Sequence, residues 1–153
     1  SALHMHSLAR DMLKRLRPAN LDSLGFVESV KTLCQSWEQQ HGITCTLQLN
    51  DPPVDITDPM STQLYRVVQE ALTNVAKHAH ASQVWVALHA QDDHLALSIT
   101  DNGLGHSPDQ PCAGLGLIGM RERVASLGGD ISISNAHPGL HILVRAPLTR
   151  GAA

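Results

Sequence analysis

Apolar residues recur along this chain with two periods, and the switches between them outline its elements. Residues 3–16 carry Met5, Leu8, Met12 and Leu16 at helical spacing, and Pro18 ends that segment. Residues 26–41 place Phe26, Val27, Val30, Leu33, Cys34 and Trp37 on one helical face, with Gly42 positioned for a left-handed cap. Ile43, Cys45, Leu47 and Leu49 then alternate with polar residues, the period of a half-buried strand, until Asn50, Asp51, Pro52 and Pro53 break the run. Asp58 and Pro59 suit a helix cap and first helical position. From there Leu64, Val67, Val68, Ala71, Leu72, Val75, Ala76 and Ala79 lay an apolar stripe along residues 60–79. Val84, Val86 and Leu88, then Leu95, Leu97 and Ile99, alternate on either side of a hairpin at 91–94. A glycine-rich loop covers 102–116. Leu117, Met120, Val124 and Leu127 mark a helix that stops at Gly128 and Gly129. Ile131 and Ile133, then Leu140, Ile142 and Val144, form a last hairpin turned around 135–139.

The predicted order is helix, helix, strand, helix, two strands, helix, two strands. Hairpins require antiparallel neighbours, while the strand–helix–strand stretch allows a parallel pair. The economical solution is a two-layer α/β sandwich, a mixed sheet of about five strands with helices on one face. The 153 residues show no internal repeat and suffice for one folded domain, assigned to 26–150, with 18–25 as a hinge after the first helix.

Composition narrows the function. The net charge of −3 provides no basic stripe for nucleic acid, and no apolar run reaches the ~20 residues that span a bilayer. With 42% hydrophobic residues the chain is no disordered tail. The 3 cysteines (Cys34, Cys45, Cys112) lack metal spacing and fit a reducing compartment, and the 10 histidines are dispersed without a zinc-type cluster.

Three segments carry candidate chemistry. In 69–79, Glu70, Asn74 and Lys77/His78 fall at i, i+4 and i+7/i+8 and share one helical face, about 120° from the centre of the apolar stripe. A carboxylate beside an amide carbonyl suits Mg²⁺, and Lys77 or His78 can meet phosphate oxygens. A solvated face with a Glu/Lys pair gives the same pattern. Asp101, Asn102, Gly103, Leu104 and Gly105 follow a strand directly. A buried Asp there accepts a hydrogen bond from an exocyclic amine such as that of adenine, though an ordinary Asp-Asn-Gly turn reads alike. Gly114, Leu115, Gly116 and Leu117 lead into a helix N-terminus, whose free N–H groups attract phosphate. Neither a Rossmann fingerprint nor a Walker A motif fits this context.

Together, Glu-x-x-x-Asn on a helix, Asp-x-Gly-x-Gly after a hairpin and Gly-x-Gly before a helix resemble the N, G1 and G2 boxes of the GHKL ATPase superfamily. That superfamily holds gyrase-type ATPases, Hsp90, MutL-type proteins and histidine kinases on the Bergerat fold. Leu16-Arg17-Pro18, residues 21–25, 69–79 and 116–124 are similar to sensor histidine kinases that partner LuxR-type response regulators, the group of nitrate and hexose-phosphate sensors. The resemblance implies an ATP-dependent protein histidine kinase with ATP and Mg²⁺ as cofactors. It casts Glu70 as the catalytic residue and Asn74 as the Mg²⁺ ligand, with Glu70 able to reach the ion through water. Lys77 and His78 would lie near the phosphates and Asp101 on the adenine amine. Gly103 and Gly105 would shape the adenine pocket, and Gly114, Leu115, Gly116 and Leu117 the ATP lid.

Two departures stand out. Many relatives have Gly-Thr before the last strand, and that Thr helps to bind adenine. Here Leu140 follows Gly139, so that contact is expected to be lost or replaced, with Thr100 or His141 as candidate replacements. The phosphoacceptor histidine segment is also missing, so 1–17 is expected to be the end of a dimerisation helix and the homodimer contacts to lie mostly upstream. The expected setting is the cytoplasmic side of an inner-membrane sensor, without direct membrane or nucleic-acid contact. A nucleotide-responsive interaction module without phosphoryl transfer is the alternative function.

Overall fold

The computed structural model describes residues 19–50, 56, 58–91, 93–104, 117–136 and 138–148. The helix expected over 3–16, and Gly105, Gly114, Leu115 and Gly116, lie outside them.

Helix α1 (Ala19–His41) runs through the segment read as a hinge and breaks at Gly25, where φ 79° and ψ 170° suit only glycine. Ser29 bridges the break by donating Oγ–H to the Gly25 carbonyl at 2.6 Å. The helix closes as its sequence requires: Gly42 sits at φ 67° and its N–H returns to the Glu38 carbonyl at 2.9 Å. Strand β1 (Thr44–Asn50) follows, then α2 (Asp58–Asn74), which continues into a π-helical turn, Val75–Ala79. The remaining elements are β2 (Gln83–Gln91), β3 (His94–Asp101), α3 (Leu117–Ser126), β4 (Asp130–Asn135) and β5 (Leu140–Pro147).

The five strands form one sheet in the order β1-β2-β3-β5-β4. β1 and β2 are parallel, joined by the α2 crossover, and every other pair is antiparallel. This is the mixed sheet read from the sequence. Strand alternation sorts the side chains. Val84, Val86, Leu88, Leu95, Leu97, Ile99, Ile142, Val144 and Ala146 are buried on one face. Phe26, Val30, Cys34 and Trp37 of α1, Leu64, Val67, Val68, Ala71 and Leu72 of α2, and Leu117, Met120 and Val124 of α3 complete the same core. Trp37 also donates its indole N–H to the Leu72 carbonyl at 3.1 Å, where the α ladder of α2 gives way to the π turn.

The topology puts one end of the sheet to use. Asp101 closes β3 opposite Val84 near the start of β2, and Thr100 faces His141 near the start of β5. The π turn at the end of α2 leads into that same start of β2 after three residues, 80–82. The Glu70–Asn74 turn, the tip of β3 and the 138–140 segment therefore converge at this end.

Candidate nucleotide-binding site

Asp101 falls at an inward position of β3, in phase with Leu95, Leu97 and Ile99, and is only 4% exposed. A buried carboxylate needs donors, and the backbone supplies two. Gly103 N–H donates to Oδ1 at 2.8 Å and Leu140 N–H donates to Oδ1 at 3.3 Å. Among the described residues both bonds reach the same oxygen, Oδ1. Burial pushes the Asp101 carboxyl above the usual carboxylate range, and the two backbone donors oppose that shift.

The Leu140 donor comes close because of Gly139. At φ 99°, a Cβ on Gly139 would stand 1.7 Å from the Asp101 carbonyl oxygen and 2.9 Å from Oδ1. Only glycine permits this approach. The glycine was visible in the sequence as half of a broken Gly-Thr pair, but its packing against Asp101 was not. Leu140 lies on the inward face with Ile142 and Val144, beside the Asp101 carboxylate.

The expectation that Thr100 or His141 replaces the missing Thr does not hold. Each is one residue out of phase with Asp101 and Leu140, so both point to the opposite face of the sheet. There they bond each other, Thr100 Oγ1 to His141 Nδ1 at 2.7 Å.

On α2, Glu70 and Asn74 are half-buried and one turn apart, so they share a face as read. The i+7/i+8 extension to Lys77 and His78 assumed a continuous α-helix. The backbone instead widens to π geometry from Val75, which rotates Lys77 and His78 away from their α-helical positions. Lys77 is exposed, and His78 contributes backbone to the turn while its side chain lies outside the described residues. His80 ends the turn in left-handed conformation at φ 51°. Leu117 opens α3 with its side chain in the core, and Gly103 is buried next to Asp101.

Two positioning contributions went unnoticed in the sequence. Asn102 Oδ1 accepts from the Ser82 and Gln83 N–H groups, both at 3.0 Å, and its Nδ2 donates to Ser82 Oγ at 3.0 Å. One amide thus ties the loop after β3 to the segment leaving the π turn. Arg66, one turn before Glu70, donates to Gln69 at 3.0 Å, while Arg123 of α3 donates to Gln63 of α2 at 3.1 Å. Burial, then the neighbouring Arg123 charge, hold Arg66 below the usual guanidinium range. The signal for Asn102 was the Asp-Asn-Gly turn itself. For Arg66 there was only its i, i+4 spacing with Glu70.

A buried acid at the end of the central strand, with glycine backbone packed against it, and an acid–amide pair on the helix that ends at the same end of the sheet are the arrangement expected of a two-layer ATPase. Residues 60–150 match the family of histidine kinase-, DNA gyrase B- and HSP90-like ATPases, and the chain belongs to that family. It is 37% identical over 147 residues to the signal transduction histidine-protein kinase/phosphatase UhpB of Salmonella typhimurium, a match covering 95% of this chain and 29% of UhpB. It is 32% identical over 143 residues to the oxygen sensor histidine kinase NreB of Staphylococcus carnosus, covering 92% of this chain and 41% of NreB. The chain thus spans less than half the length of either relative. A mycobacterial sensor histidine kinase, MprB, shares the fold with a TM-score of 0.63 and 26% identity, over 79% of this chain and 93% of the MprB chain.

Proposed function

We propose that this chain is the ATP-binding catalytic region of a two-component sensor histidine kinase, passing the ATP γ-phosphate to a histidine on a dimerisation helix. The observation that carries this reading is the Asp101 carboxylate, buried with both of its backbone donors among the described residues on Oδ1, which we read as leaving Oδ2 to accept from a ligand. An adenine amine satisfies that acceptor, whereas guanine would present a carbonyl oxygen to it and be repelled. Family membership and the similarity to UhpB and NreB support the kinase chemistry.

The donor set on α2 fits Mg²⁺, because an Asn amide oxygen and a Glu carboxylate are hard ligands that leave coordination places for water and phosphate. Asn74 would hold the ion, which supplies charge neutralisation to the triphosphate, and Glu70 would position the attacking imidazole. Lys77 and His78, on the widened turn, would flank the phosphates. Gly103 and Gly105 would shape the purine pocket, and Gly114, Leu115, Gly116 and Leu117 would form the lid. Residues 1–17 would end the dimerisation helix, 18–25 the hinge, and 26–150 the catalytic domain. Among the described residues no helix is long and apolar enough to cross a membrane. The setting proposed for the region is the cytoplasmic side of a sensor that phosphorylates a LuxR-type response regulator.

The test is transfer in two parts. This chain, mixed with labelled Mg·ATP and a separately supplied dimerisation segment from a relative, should label that segment with acid-labile phosphate and release ADP. Binding of ATP without transfer would favour a nucleotide-responsive interaction module instead.

A further inference from the structure

Two of the chain's cysteines meet inside the fold without touching the nucleotide pocket. Cys34 lies on the inward face of α1 and is 4% exposed, while Cys45 lies half-buried on the inward face of β1, an edge strand. Their approach is built by Glu38. On α1, Cys34 and Glu38 are four residues apart and stack on one face. Glu38 Oε1 accepts the Cys45 backbone N–H at 2.9 Å, which holds Cys45 one helical turn from Cys34. The two thiols are thereby brought to the same α1–β1 contact as neighbours, and both are free.

We propose that Cys34 and Cys45 are a peroxide-oxidisable pair that closes to an intradomain disulfide tying α1 to the sheet edge. Cys45 is the attacking thiol. It is the more accessible of the two, and the neighbouring Cys34 thiol holds it below the usual thiol range, while Cys45 and burial push Cys34 up. The Cys45 thiolate attacks hydrogen peroxide: an S–O bond forms, the O–O bond breaks, and the departing hydroxide takes up a proton to leave as water. The Cys34 thiol then attacks the Cys45 sulfur. The S–S bond forms, the S–O bond breaks, and the Cys34 proton leaves with the hydroxyl as a second water. Two thiols lose two electrons and one peroxide gains them.

The location gives the bridge a consequence. Cys45 pairs with Val84, and Val84 pairs with Asp101, so the cross-link sits in the cross-sheet row of the adenine carboxylate, two strands away. It also clamps the helix whose Trp37 holds the Leu72 carbonyl between Glu70 and Asn74.

Peptide mass decides the proposal. No Lys or Arg lies between Lys31 and Arg66, so trypsin releases both cysteines in one peptide, 32–66, with Cys112 in another, 78–121. The reduced chain is treated with hydrogen peroxide, alkylated and digested. Peptide 32–66 should lose two hydrogens and accept no alkyl group, while Cys112 remains alkylated. The thermal midpoint should rise, and dithiothreitol should reverse both changes. Cys45→Ser should abolish the mass loss and the rise. Full alkylation of 32–66, over-oxidation of Cys45 without the two-hydrogen loss, a bond to Cys112 or between chains, or a lower midpoint would each overturn the proposal.

Discussion

The Asp101 carboxylate carries the account at the scale of single residues. Its acid is easier to protonate in the fold than in the unfolded chain, because burial raises its pKa. Its contribution to stability is therefore fully present below the unfolded-state pKa and is lost as pH rises through the folded value. Nucleotide binding runs the other way, since protonation removes an acceptor. Mg·ATP affinity measured across acidic pH should begin to fall above the range of an ordinary carboxylate, and that step should vanish in Asp101→Asn. Gly139 is the second residue on which the pocket turns. Gly139→Ala drives a Cβ into the Asp101 backbone at a positive φ. It should cost roughly 2–4 kcal/mol in urea unfolding and weaken nucleotide binding with it. The sequence showed Asp101 at a strand end, and strand alternation made its burial legible. Its Gly103 donor belongs to the local Asp-Asn-Gly turn, but the second donor comes from the start of β5, 39 residues away, and no local pattern carries that information.

The elements were legible wherever a period persisted. The apolar stripe of 60–79 announced a helix, and Asp58 opens it. The same stripe concealed the change at Val75, because π geometry arises from backbone bonding rather than from a distinct residue pattern. The placement of Lys77 and His78 was therefore read with the wrong rotation per residue. The span 18–25 reads as a hinge, yet helix runs from Ala19 and breaks only at Gly25. The junction of α2 with its π turn also depends on α1, through the buried Trp37–Leu72 hydrogen bond. Trp37→Phe keeps an aromatic ring and removes the donor. It should destabilise the fold by about 1–3 kcal/mol through the stranded carbonyl, read as a shift in the urea midpoint with unchanged slope.

At the scale of the whole molecule, one end of a five-stranded mixed sheet gathers three pieces far apart in sequence: the end of α2, the tip of β3 and the start of β5. The sandwich could be read from the order of periods, because hairpins and a single crossover leave few ways to cover one sheet face. The choice of β5 rather than β4 as the neighbour of β3 could not, since both strands alternate similarly. That neighbour delivers Gly139 and Leu140 to Asp101. Because its sequence lacks a phosphoacceptor-type histidine segment, the proposed function predicts that the chain binds Mg·ATP yet remains unlabelled by radioactive γ-phosphate when incubated alone. The most direct measurement is calorimetric titration of the purified chain with Mg·ATP, with Mg·GTP as competitor and Asp101→Asn as control. Saturable ATP binding, weaker by about ten- to a hundredfold in Asp101→Asn and barely displaced by GTP, is the predicted result. Equal affinity in the variant, or no binding of ATP at all, would contradict the assignment of this pocket.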